Sequence, residues 1–141
     1  MDGGATTSGE RQWAAMAHVA ALVLALFTSW FAGFAGMLGA GAVYLVKRDD
    51  SAFIAAHARE AINFNLSMFI YAVLAIAIGV ALGAFTVLTL GIGLVVAAPA
   101  ALVLVALVAL VALVWLVCSI IAAVKAWNGE PYRYPLTLRL F

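Results

Sequence analysis

His57-Ala-Arg-Glu-Ala-Ile-Asn-Phe-Asn65 is the one place in this chain where charge, imidazole and amide groups sit together. The stretch runs directly into an uncharged apolar segment that ends only at Lys125. It therefore reads as the polar mouth of a helix that continues into hydrocarbon. The surroundings agree. The chain is 68% hydrophobic and 9% charged, against roughly 25% charged for a soluble domain. So few charges cannot cover a water-facing surface, and the class that remains is a polytopic membrane protein. A β-barrel needs alternating apolar and polar residues. Here the runs are continuous and rich in Ala and Leu, which predicts helices.

Upstream, residues 13–46 carry no formal charge apart from His18. One helix of that length would be about 50 Å long, well beyond the roughly 30 Å hydrocarbon core. Thr28-Ser29-Trp30-Phe31, followed by Gly33, Gly36, Gly39 and Gly41, supplies a break. The glycines permit a turn or a close backbone approach. The expectation is a hairpin, with helices over 13–30 and 33–47. Residues 1–12 are small and polar and read as a disordered tail without a cleavable signal. Lys47-Arg48-Asp49-Asp50 forms a loop, and Asp50 or Ser51 can cap the next helix. Residues 52–60 then make an interfacial amphipathic helix anchored by Phe53 and Ile54.

Downstream, the uncharged stretch holds two spans, expected over 61–84 and 99–126. Thr86, Thr89, Gly91, Gly93 and Pro99 mark the connection between them. The fold class is thus all-α: a membrane bundle of four transmembrane helices (13–128) with an interfacial helix before the third. Residues 129–141 form a membrane-surface tail. Leu136, Leu138 and Leu140 alternate with Thr137 and Arg139, a strand-like pattern. With both termini cytoplasmic, all seven basic residues lie on one side, as the positive-inside tendency asks. A bacterial inner membrane fits that pattern.

On a helix, Glu60, Asn63, Ser67 and Tyr71 share one face, with His57 at its edge. Such a stripe lines a polar pocket or hydrogen-bonds to neighbouring helices to fix packing, and packing is the commoner use. His18 sits about one turn inside the first helix and can reach a backbone carbonyl or the 57–65 segment. His18, His57 and Glu60 could make a two-histidine, one-carboxylate site, but three scattered residues are a weak warrant for it, and no metal and no cofactor are expected. Arg133 or Arg139 should pair with Asp49, Asp50 or Glu60. Tyr132 or Tyr134 should cover Phe53. Together His18, His57, Arg59, Glu60, Asn63, Ser67, Tyr71, Tyr132, Arg133 and Tyr134 are the candidate polar or interaction site.

Several chemistries are disfavoured. A net charge of +1 leaves no footprint for nucleic acid. Cys118 is the lone cysteine, so it can form no internal disulfide, and its apolar context makes it a packing residue. No Asp or Glu lies inside a span, which removes the usual device for proton-coupled transport. No spacing pairs a nucleophile with a base. Gly79-Val-Ala-Leu-Gly83 matches GxxxG, a weak signal where Ala and Gly abound.

Three pieces together resemble the Tic-twenty-like family of small prokaryotic membrane proteins, distant relatives of a chloroplast inner-envelope translocon subunit. They are Glu10-Arg11-Gln12-Trp13 with His18; Lys47-Arg48-Asp49 through Asn65; and Ala123-Val-Lys-Ala-Trp-Asn-Gly-Glu-Pro-Tyr-Arg-Tyr-Pro-Leu-Thr137. The resemblance implies a channel or protein-translocation component as one function. The residues themselves favour another: a non-enzymatic accessory or assembly subunit of a membrane complex. The expected partners are the lipid bilayer and either a second protein or further copies of the chain.

Overall fold

The computed structural model describes residues 6–28 and 32–141. These form four helices and no strand: α1 (Ser8–Phe27), α2 (Ala32–Lys47), α3 (Ala52–Leu88) and α4 (Leu94–Trp127). The chain divides into two compact units, one of Met1–Phe69 with Leu116–Phe141, the other of Ile70–Trp115. Both α3 and α4 contribute residues to each unit.

Two helices, not four, are long and apolar enough to cross a membrane: α3 and α4. The reason lies in α1 and α2. At 16 residues, α2 is about 24 Å long, short of a roughly 30 Å hydrocarbon core. The first turn of α1 carries Glu10, so its apolar part is no longer than α2. The expected break at Ser29, Trp30 and Phe31 lies outside the described residues. The glycines that follow it sit inside α2, as a helix over 33–47 requires. A Cβ on Gly33 would stand 2.8 Å from the Asn65 carbonyl oxygen and the Phe69 amide nitrogen, and one on Gly39 would stand 2.9 Å from the Ala20 carbonyl. Close backbone approach is the use of Gly33 and Gly39, whereas Gly41 faces open space.

The core of the first unit follows from those crossings. Ala17 and Ala21 of α1, Ala40, Val43 and Tyr44 of α2, and Ile54, Ala58, Ala61 and Ile62 of α3 form one buried cluster. Alanine at the contacts lets the helix axes draw together. A smaller cluster joins Ala14 and Ala15 to Ala126, with Phe53 against it.

Residues 8–12, expected within a disordered tail, are helical, because α1 begins at Ser8; residues 1–5 of that tail lie outside the described residues. Thr7 and Glu10 form a capping box: the Glu10 amide donates to Thr7 Oγ1 at 3.2 Å, and the Thr7 amide donates to Glu10 Oε2 at 2.8 Å. Two orphan amides are satisfied at once. Glu10 also accepts from Ser51 Oγ at 2.5 Å, which ties the start of α1 to the start of α3. These bonds, the one from Ser51 foremost, hold the Glu10 carboxyl below the usual carboxylate range.

The interfacial helix and the third span are one unbroken helix of 37 residues. Its buried residues run from Ile54 to Ser67. In the second unit, the flanks of α3 and α4 expose Ile76, Val80, Leu102 and Val105, among others. Of the most apolar 18-residue windows of α3 and α4, only 0% and 6% is buried. Surfaces like these are stable against lipid. The turn between the helices is tight. The Gly91 amide donates to the Thr86 carbonyl at 2.9 Å, and Thr89 Oγ1 accepts from the Gly93 amide at 2.8 Å. This closure lets α4 begin at Leu94 and leaves Pro99 inside it, not at its start.

Residues 129–141 form no strand. The alternation read as strand-like has a different cause: the backbone donors of this tail are taken up by side chains of α3.

Candidate functional site

One face of α3 receives the tail. Glu60 Oε2 accepts from the Tyr134 amide at 3.3 Å. Asn63 Oδ1 accepts from the Leu140 and Phe141 amides at 3.0 and 2.8 Å, and its Nδ2 donates to the Phe141 carbonyl at 2.9 Å. Ser67 Oγ accepts from the Leu138 amide at 2.9 Å and donates to the Asn63 carbonyl at 2.7 Å. The helical spacing of these three residues is why one strap of backbone can reach them all. Arg139 Nε lies 3.3 Å and Arg133 Nε 4.0 Å from Glu60 Oε1. The expected pairing of the tail arginines is met at Glu60, while Asp49 and Asp50 pair with Arg48 and Lys47. Tyr71 belongs to the second unit.

Asn63→Ala should release this strap. It removes three hydrogen bonds, each worth about 0.5–1.5 kcal/mol. Amide exchange at residues 138–141 should speed up, while exchange in α1 stays unchanged.

Behind the strap runs a buried polar chain. Tyr134 Oη and His18 Nδ1 are 2.9 Å apart, as are His18 Nε2 and His57 Nδ1. All three side chains are buried, at 1–3% exposure. Two proton arrangements satisfy the chain. In one, Tyr134 donates to His18 and His18 donates to His57, which puts the His57 proton on Nε2. In the other, every donor is reversed. His57 Nε2 is the loose end: it is buried and has no hydrogen-bond partner among the described residues, although it faces the backbone of Glu130. Tyr134 stacks on Phe64, with centroids 3.9 Å apart and planes at 13°. The expectation that a tail tyrosine covers Phe53 is thereby corrected: Tyr134 covers Phe64, and Phe53 packs edge-on against His57 at 4.5 Å. Phe64 stands one helical turn beyond Glu60, which holds the Tyr134 amide, and so meets the Tyr134 ring.

Both nitrogens of His18 are occupied by this chain, so its lone pairs are not aimed at a metal. Among the described residues, no group of three or more His, Cys, Asp or Glu side chains could hold one. Arg59 turns toward α2: its Nε and Nη2 donate to Tyr44 Oη at 3.2 and 2.9 Å, and the guanidinium lies 5.4 Å from that ring.

Burial pushes the Tyr134 phenol up, against a downward pull from the Ser119 hydrogen bond. Burial, then the Cys118 contact, pushes Tyr132 up to about 12. A raised folded value means that the folded state keeps a proton the unfolded chain gives up. The stabilisation is therefore complete below the ordinary phenol value of about 10 and is lost as pH rises from there through about 12. Tyrosinate absorbance should appear together with loss of helicity in that range. Tyrosinate forming with helicity intact would contradict the burial.

Sequence reasoning found His18, His57, Glu60, Asn63 and Ser67 and missed three residues. Phe64 lies inside the stretch that anchors the site. Tyr44 had no signal beyond being a tyrosine near a helix end. Asn65 donates to the Ala61 carbonyl at 2.9 Å and packs its amide against Gly36. The glycine at 36 was the only hint of that contact.

Neither the curated proteins nor the solved structures give a match to the chain. The resemblance to the Tic-twenty-like family does not stand, because the family model that matches, over residues 9–141, is a different one. The three motifs behind that resemblance are the joints of the first unit: the α1 cap with His18, the α3 face, and the tail that straps onto it. Joints of this kind encode a fold and not an activity, so the translocation role goes with the resemblance. The chain belongs to the MamF/MmsF family, the magnetosome magnetite crystal formation protein family.

Proposed function

We propose that this protein serves magnetite formation as a non-enzymatic membrane subunit, an accessory or assembly component that docks a partner through the face made by α3 and its strapped tail. The observation that carries this reading is how the polar groups are spent. His18, Tyr134, Asn63, Ser67 and Glu60 bond to one another or to tail backbone, an investment in shape. The groups left to meet a partner are guanidiniums: the Arg133 side chain is 77% exposed and that of Arg139 45%. Arginine at the rim of a rigid surface is a common recognition element.

The topology that goes with this has α3 and α4 crossing as a hairpin and both termini on the cytoplasmic side. All seven basic residues fall in the first unit, and the positive-inside tendency then sets the orientation. Native mass spectrometry of the protein, extracted gently from its own membrane, tests the subunit reading. A stoichiometric second protein is expected, and Arg133→Ala with Arg139→Ala should release it. A chain found only alone or with copies of itself would overturn the reading.

A further inference from the structure

Between the tail and the first turns of α3 lies a cavity of about 390 Å³, with Phe53, His57, Glu60, Tyr132, Arg133 and Arg139 among its walls. Arg59 also lines it. We propose that this cavity is a binding site for a phosphate oxyanion, either the headgroup phosphate of an anionic lipid or free phosphate.

Charge is the first ground. Three arginines and one glutamate line the cavity, so Glu60 neutralises at most one of the three cations. Donor supply is the second. A guanidinium carries five N–H donors in a planar fork. Arg59 directs Nε and Nη2 at Tyr44, and Arg139 directs Nε at Glu60, which leaves terminal N–H groups of all three for oxyanion lone pairs. Forks of this shape match phosphate oxygens.

The third ground is independent of the arginines. His57 lines the same cavity, is 2% exposed, and carries a buried Nε2 with no hydrogen-bond partner among the described residues. A buried ring nitrogen left unsatisfied is costly. In the proton arrangement that starts from the Tyr134 hydroxyl, that nitrogen is an N–H whose neighbouring acceptor, the Glu130 backbone, is not in hydrogen-bonding geometry, and a phosphate oxygen would complete it. The volume also suits: small-ligand sites run from about 300 to 1,000 Å³. Phe53 and Tyr132 supply the apolar wall against which the glycerol end of a headgroup would pack. This inference is separate from the partner reading, since the cavity would hold its anion with or without a docked protein.

The test uses the full chain in detergent. In one arm, native mass spectrometry counts retained phosphatidylglycerol against diacylglycerol, which lacks the phosphate. In the other, inorganic phosphate is titrated while the ring-nitrogen resonances of the histidines are followed. Retention of phosphatidylglycerol alone identifies the lipid headgroup as the source, and a saturable His57 shift with inorganic phosphate identifies the free ion as a ligand as well. Either result supports the site, provided Arg133→Gln with Arg139→Gln weakens binding at least about tenfold and Arg48→Gln, outside the cavity, leaves it unchanged. Arg133→Gln alone, at the more exposed of the two positions, keeps the fold intact should the double variant misfold, and it should still weaken binding several-fold. Binding in neither arm, or binding that survives the arginine variants, overturns the proposal.

Discussion

Gly33→Ala should lower stability by roughly 2–3 kcal/mol, the upper part of the range for overpacking. The added Cβ would lie 2.8 Å from the Asn65 carbonyl oxygen and the Phe69 amide nitrogen, both backbone atoms of α3. A side chain could swing aside; a helix backbone must be pushed away as a body. Gly41→Ala is the matched control. A Cβ there meets nothing within 4 Å, and alanine is favoured over glycine in a helix by up to about 1 kcal/mol. One glycine of α2 should thus be destabilised by the same change that stabilises another eight residues on. Thermal unfolding in detergent compares the two directly. Equal effects would mean that α2 does not approach α3 as described.

His18→Leu should be the most damaging change to the buried polar chain. It leaves Tyr134 Oη and His57 Nδ1, each 2.9 Å from a His18 nitrogen, without that partner in a dry site. An unsatisfied buried group costs about 1–3 kcal/mol, so the loss of both partners should reach about 2–6 kcal/mol. Tyr134→Phe removes the hydroxyl that meets His18 Nδ1 and Ser119 but keeps the His18–His57 bond, so it should cost less than His18→Leu. The double variant should cost less than the sum, because its two members share one bond. Denaturant titrations of the three variants and the parent give the cycle. A His18→Leu protein as stable as the parent would show that the chain contributes nothing.

How much of this was legible in the residues varies by element for physical reasons. The stretch 57–65 announced its own importance, because charge and amide groups are rare beside so apolar a segment. That a tail arginine meets an acid followed from the few acids within reach of the tail; that the acid is Glu60 and not Asp49 or Asp50 did not, because the aspartates are taken by Lys47 and Arg48. The number of spanning helices did not follow. Hydropathy registers how apolar residues 13–46 are and not where their helices stop, so they looked like two spans although α2 has 16 residues and α1 opens with Glu10 in its first turn. The capping box was legible in principle, since Thr7 and Glu10 stand at the required spacing, but the small polar residues around them read more readily as a tail. The period-two pattern of 136–140 was real, yet alternation specifies only that successive side chains point opposite ways. Which acceptors take the amides is decided by Asn63 and Ser67, more than seventy residues earlier.

The turn between α3 and α4 bears on how the protein enters its membrane. Residues 70–115 contain no Asp, Glu, Lys, Arg or His. At the tip, Leu88, Leu90 and Ile92 are at least 80% exposed, and the hydroxyls of Thr86 and Thr89 donate back to the Leu82 and Phe85 carbonyls. Moving this tip through hydrocarbon therefore drags no ionisable side chain and strips water from few unbonded polar groups. A charged side chain at the bilayer centre costs at least about 2.5 kcal/mol, and none is present to impose that barrier. The hairpin can insert as a preformed unit, apolar end first. All seven basic residues lie in the other unit, so the charge that resists transfer through hydrocarbon is confined to the half of the sequence that this hairpin does not include.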